Sequence, residues 1–191
     1  MSRLSTAAPI TVLTYAAGSH INALLRDICG HLIAQGATLA GMVQINTMRP
    51  GRSHCDMLLE DLGSGERVEI SEYRGPEARG CMLDVPQLMV ALERAARALA
   101  NPCDLLVVNK FGKTEVDGGG FRPLISEALS RNIPVLIAVP AASLPSWRQY
   151  AGDLAKEFAI EELPGGCGIA AACRYVGLDL APTASPASSA L

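Results

Sequence analysis

A chain of 191 residues with 49% hydrophobic and 18% charged side chains has apolar surface for one main core and too little charge for disorder, so one globular domain is expected. Its formal net charge of −3 excludes any global attraction to nucleic-acid backbones or anionic membrane surfaces, and an anion site has to be local. With three Phe, four Tyr and one Trp, the core has to be mainly aliphatic, which suits helices layered on a buried sheet better than a sandwich.

In chain order, residues 10–15 form a short β-branched apolar run that Ala16, Ala17, Gly18 and Ser19 interrupt, which predicts a buried strand and a turn. Leu24, Leu25, Ile28, Leu32 and Ile33 then recur at helical spacing, with Gly36 placed to end the helix. Residues 38–45 read as a second strand and 49–53 as a polar loop. Residues 57–70 read as two strands joined at Gly63, Ser64 and Gly65, a hairpin insertion. Residues 85–100 lack internal Gly and predict a helix, and 104–108 is the apolar run of a central parallel strand.

After a turn at residues 118–120 come a helix over 123–131, a strand over 134–139 and an amphipathic helix over 147–158. Residues 165–173 open with glycines and continue apolar, so they read as a small-residue helix packed on the sheet ahead of a second anion turn. The alternation implies an α/β fold of three layers, a mostly parallel sheet, and ligands at the carboxyl ends of its strands. The domain is expected over residues 1–180, with 181–191 a disordered tail of small residues and prolines.

No long apolar core marks an export signal near Met1, and no run approaches membrane-spanning length, so a cytoplasmic protein without membrane insertion is expected. Cys29, Cys55, Cys81, Cys103, Cys167 and Cys173 include no CxxC pair and read as reduced, mostly packing residues. His54, Cys55 and Asp56 have a metal-like composition, but adjacent ligands diverge and no second pair completes a set. No metal site is expected, and His31 reads as a surface or packing residue.

The most informative stretch runs from Asp104 through Asn109, Lys110, Phe111, Gly112, Lys113, Thr114 and Glu115 to Phe121 and Arg122. It resembles the second acidic motif of a small P-loop nucleoside-triphosphatase family, in which an apolar strand ends in Asp-Glu and continues into Ile-Gly-Lys-Met-Glu, then Phe-Arg and a helix. The hairpin suits that family, and the resemblance spans residues 10–139. The pattern of Tyr15, Gly18, Cys55, Arg74, Gly75, Gly80, Cys81, Leu83, Asp84, residues 107–113 and Trp147 is similar, more closely, to a bacterial family of unknown function, DUF2478. Members are often encoded with molybdate-transport or molybdenum-enzyme functions, so the resemblance implies a P-loop-like fold and a link to molybdenum metabolism.

The departures from a working triphosphatase are specific. A phosphate loop needs Gly-x-x-x-x-Gly-Lys-Ser/Thr, whose amides cradle phosphates and whose Lys neutralises them; around Gly18 the chain has Ala16-Ala17-Gly18-Ser19-His20 and no Lys. Asn109 and Lys110 replace the magnesium-holding Asp and water-orienting Glu, and a hard dication should not sit beside an ammonium group.

The expected ligand site is therefore Gly18, Ser19, His20, Asn109, Lys110, Lys113 and Arg122, with the Gly18 turn and Lys110 facing one crevice. Glu115 is expected to pair with Lys113, and no catalytic residue is assigned. The expected ligand is a small anion, either a nucleotide phosphate or a tetrahedral oxyanion such as molybdate or tungstate, bound without Mg²⁺ and without efficient hydrolysis. A divergent nucleoside-triphosphatase and a non-catalytic regulatory or assembly partner are the alternatives. Homo-oligomerisation stays open.

Overall fold

The computed structural model describes residues 4–6, 8–50, 55–72, 83–164 and 168–180. His54, Arg74, Gly75, Gly80, Cys81, Cys167 and the expected tail over 181–191 lie outside the described residues. The elements are β1 (Leu4–Ser5), β2 (Ile10–Tyr15), α1 (Ile21–Ala34), β3 (Leu39–Thr47), β4 (Asp56–Asp61), β5 (Arg67–Glu69), α2 (Val85–Ala100), β6 (Leu105–Val108), α3 (Lys113–Val116), α4 (Arg122–Ser130), β7 (Val135–Pro140), α5 (Leu144–Ala151), β8 (Ala155–Ala159), α6 (Gly168–Tyr175) and β9 (Asp179–Leu180).

Seven strands form one sheet in the order β5-β4-β3-β6-β7-β2-β8. The pairs from β3 through β6, β7 and β2 to β8 are parallel, and the β4–β5 hairpin adds antiparallel strands beside β3. The central strands are buried on both faces, as an all-apolar run requires. Along β6, Leu106 and Val108 join one core with α2, α4 and α5, whereas Leu105 and Val107 join the other with α1 and α6. Each such side chain, taken fully out of water, contributes about 1.5–3 kcal/mol, so these cores hold the layers together. The fold is a three-layer α/β arrangement with a mostly parallel sheet.

Two segments differ from the sequence expectation. The helix expected over 147–158 is α5 followed by a 3-10 turn and the edge strand β8. Trp147, Ala151, Leu154 and Phe158 recur at helical spacing, yet residues 155–159 extend and pair with β2, because the exposed edge of β2 offers a backbone ladder that the period alone does not reveal. β1 and β9 make a two-stranded antiparallel ribbon that no apolar run announced. α6 packs against α1, which bears on the packing reading from Gly168 onward; the glycine turn over 165–167 lies outside the described residues.

Cys29 on α1 is buried and near Cys173 on α6; burial first, and the Cys173 charge second, push its thiol up to about 12 from an ordinary 9.0. The unfolded chain loses this proton near the ordinary value and the folded chain holds it, so stability is unaffected below pH 9 and falls as pH rises from 9 to 12. Each pH unit in that window costs about 1.4 kcal/mol from this group. The urea midpoint of the wild type is expected to drop more steeply between pH 9 and 11 than that of Cys29→Ala. Equal slopes would remove Cys29 as the cause.

Candidate anion site at the β2–α1 turn

β2 delivers the chain at its carboxyl end into a turn over residues 16–20. Gly18 there has φ +83°, and a Cβ at this position would meet nothing within 4 Å. Glycine is needed for the left-handed backbone and not for a close approach. The Ser19 N–H donates to the Ala16 carbonyl (3.3 Å), and α1 opens at Ile21 with the Leu24 N–H donating to the His20 carbonyl (3.1 Å). His20 occupies the N-cap position without a side-chain cap, leaving its imidazole available to the adjacent space.

That space is a pocket of about 250 Å³ lined by Ser19, His20, Asn22 and Arg26 from the turn and α1, and by Gln44 and Asn46 from β3. Its lining includes a guanidinium and an imidazole but no carboxylate. Arg26 has no partner among the described residues, and neither does the hydroxyl of Ser19, which is shielded from solvent. Asn109, directly after β6 and 6% exposed, ties the walls together. The Gln44 backbone N–H donates to its Oδ1 (2.7 Å), and its Nδ2 donates to Asn22 Oδ1 (3.2 Å).

The remaining expected site residues lie elsewhere. β7 stands between β6 and β2 in the sheet, and the Phe111 N–H donates to the Ala138 carbonyl of β7 (2.9 Å). This carries the chain onto the face where Phe111 packs with Trp147 and Tyr150. Lys110 and Lys113 consequently line a second, largely apolar pocket of about 190 Å³, which shares Gln44 with the first. The structure does not bring Lys110 into the crevice with Ser19 and His20; the Gln44–Asn109 pair separates the two spaces.

Lys113 is 86% exposed and pairs with Asp117 (2.7 Å), one helical turn on, in place of the expected Glu115. The buried Glu115 carboxylate instead accepts the Gly112 N–H (2.8 Å) and the Phe121 N–H (3.0 Å). Arg122 lies 4.2 Å from the Tyr150 ring centroid and donates to the Glu115 carbonyl (3.3 Å). Its guanidinium is held within the α4–α5 packing and not at the rim of the first pocket.

Sequence reasoning missed Asn22, Arg26, Gln44 and Asn46. Asn22 and Arg26 at i and i+4 share a helix face beside the buried Leu25–Ile28–Leu32 stripe, a pattern that was available; Gln44 and Asn46 needed the position of β3. Among the described residues no group of three His, Cys, Asp or Glu is placed to hold a metal, and no helix is long and apolar enough to cross a membrane.

A family model described as a protein of unknown function, DUF2478, matches residues 10–163. The chain belongs to that family. Among relatives of this DUF2478 chain, the molybdenum import ATP-binding protein ModC 2 of Bradyrhizobium diazoefficiens is 32% identical over 145 residues, which cover 76% of this chain and 16% of ModC 2. The DUF2478 chain thus corresponds to a small part of that relative. Among solved structures, a human cancer-related nucleoside triphosphatase is 20% identical with a TM-score of 0.58, covering 80% of this chain and 88% of its own. THEP1 from Aquifex aeolicus is 17% identical with a TM-score of 0.54, covering 79% and 88% respectively. The likeness to both is one of fold, that of small P-loop nucleoside triphosphatases.

In that fold the motif Lys and Ser/Thr open the helix after the phosphate loop. In the DUF2478 chain α1 opens with Ile21 and Asn22. Ile21 is buried in the core with Leu25 and Ile28 and offers no charge to a phosphate.

Proposed function

We propose that this chain binds a small anionic ligand, a nucleotide phosphate or a tetrahedral oxyanion such as molybdate, at the β2–α1 turn without hydrolysing it efficiently. The observation that carries this reading is the makeup of the pocket: Arg26, His20, Ser19 and the amides of Asn22 and Asn46 converge where no carboxylate competes. The N-terminus of the 14-residue helix α1 adds a favourable dipole. Hydrolysis is disfavoured because the β2–α1 turn and the start of α1 carry no Lys, and Asn109 with Lys110 follows β6 where a metal-binding Asp and a water-orienting Glu would serve. The name of the ModC 2 relative motivates molybdate among the anions to test. The chain's place of action is a reducing cytoplasm, in which cysteines such as Cys29, Cys55 and Cys103 stay thiols.

Isothermal calorimetry with phosphate, molybdate, tungstate, ATP and GTP, each with and without Mg²⁺, tests the reading and separates free oxyanions from nucleotides. At least one is expected to bind, and Arg26→Ala is expected to weaken it about tenfold or more, the effect of one charge-assisted hydrogen bond. Lys156→Ala, on the edge strand β8, is expected to leave it unchanged. Equal affinity in wild type and Arg26→Ala would remove the pocket from consideration. The names of the two solved neighbours favour a second reading, a nucleoside triphosphatase with a divergent loop. Steady Mg²⁺-dependent phosphate release at about 1 per second or faster, the range of ordinary enzymes, would establish it over the first.

A further inference from the structure

We infer that Asn109 sets the polarity of the pocket, fixing the Asn22 amide so that it presents a hydrogen-bond donor and the site selects an oxyanion free of metal. This rests on the proposed function and adds the residue that determines its specificity. The backbone N–H of Gln44 can only donate. The Asn109 atom 2.7 Å from it is therefore the carbonyl oxygen Oδ1. The other end of that amide, Nδ2, must then face Asn22 and donate, which makes the Asn22 atom at 3.2 Å its oxygen. What Asn22 has left for the pocket it lines is its own Nδ2, a donor.

In P-loop triphosphatases the helix-opening Ser/Thr and the Asp after the second-motif strand present oxygens to Mg²⁺. Asn109 directly follows β6 and Asn22 lies in the first turn of α1, and their amide oxygens accept hydrogen bonds from Gln44 N–H and Asn109 Nδ2 respectively. Mg²⁺ demands near-octahedral oxygen coordination, and the pair does not fit it. The same pair suits an anion. Asn109 is 6% exposed, so neighbours hold its orientation and solvent does not average it. On β3 a second amide contact, between the Gln44 and Asn46 side chains (2.7 Å), lies at the wall of the same pocket.

Two near-isosteric variants test the relay. Asn109→Asp still accepts from Gln44 N–H but presents oxygen to Asn22, which must turn its amide and show oxygen to the pocket. Asn22→Asp keeps the bond from Asn109 Nδ2 and replaces the outward donor by a carboxylate oxygen; being half-exposed on the first turn of a helix, it is the variant less prone to disturb folding. Metal-free affinity for inorganic phosphate and for molybdate, measured by calorimetry, is expected to fall at least tenfold in each, with melting temperatures near that of the wild type. Mg²⁺ is expected to restore phosphate binding in Asn109→Asp and to have no effect on the wild type, a difference that a merely structural role would not create. Undiminished metal-free phosphate and molybdate binding in Asn22→Asp, or wild-type binding that requires Mg²⁺, overturns the inference while leaving an anion site in place. A wild-type chain that binds neither anion nor nucleotide overturns the proposed function itself.

Discussion

Gly41→Ala is expected to cost about 3–5 kcal/mol of stability, combining backbone strain with overpacking that cannot relax through a side chain. Gly41 lies in β3 with φ +107°, and a Cβ there would sit 2.0 Å from the Val107 carbonyl oxygen of β6. The obstacle is backbone in the most buried part of the sheet, so β3 and β6 must separate. Gln44 and Asn109, whose hydrogen bond spans the same two strands near their carboxyl ends, would be drawn apart, and anion binding should weaken along with stability. Urea unfolding followed by the fluorescence of Trp147, the single Trp and fully buried, measures the first effect, and phosphate calorimetry at a temperature where the variant is folded measures the second. A loss below about 1 kcal/mol, the typical cost of an ordinary substitution, would show that the strand pair adapts and would sink the account.

Glu115→Ala is expected to cost about 3 kcal/mol, because it strands two buried backbone donors that now have a charged acceptor. The Gly112 and Phe121 N–H groups both end on this carboxylate, which closes the loop between β6 and α4 around the short helix α3. Glu115→Gln keeps one acceptor oxygen but turns an amide nitrogen toward the other donor, so it should cost about half as much. Lys113 should not enter this balance: its ion pair with Asp117 is exposed, and such pairs contribute about 0–1 kcal/mol. Comparing the three variants by denaturant unfolding separates the readings. If Lys113→Ala costs as much as Glu115→Ala, the loop is held by surface charge and not by the buried carboxylate.

The pairing of Lys113 was decidable from spacing. Lys113 and Glu115, two apart, lie on different sides of a helix, whereas Lys113 and Asp117, four apart, share a face. With no helix expected over residues 113–117, that shared face went unused. The edge strand β8 was concealed for a different reason: its flanks carry apolar residues at helical spacing, and pairing with β2 overrode that period. Arg26 stands in the pocket where Lys110 was expected because adjacency in a parallel sheet is non-local. A run such as 105–108 announces that a charge follows a strand, but not that β7 will stand between that strand and β2.

The residue order by itself determined the α/β class, the central strands, the hairpin and the kinship carried by residues 107–122, since buried parallel strands and amphipathic helices impose their periods directly on the chain. It also determined what is missing from a hydrolytic site, because an absent Lys and an Asn in place of Asp are facts of composition. Tertiary structure alone decided which polar groups meet. It placed Asn22, Arg26, Gln44 and Asn46 around one space, sent Lys110 to another, and oriented the Asn109 amide through a backbone N–H of β3. Hydrogen bonds between residues 65 or 87 positions apart depend on strand order and crossover, which no local pattern encodes.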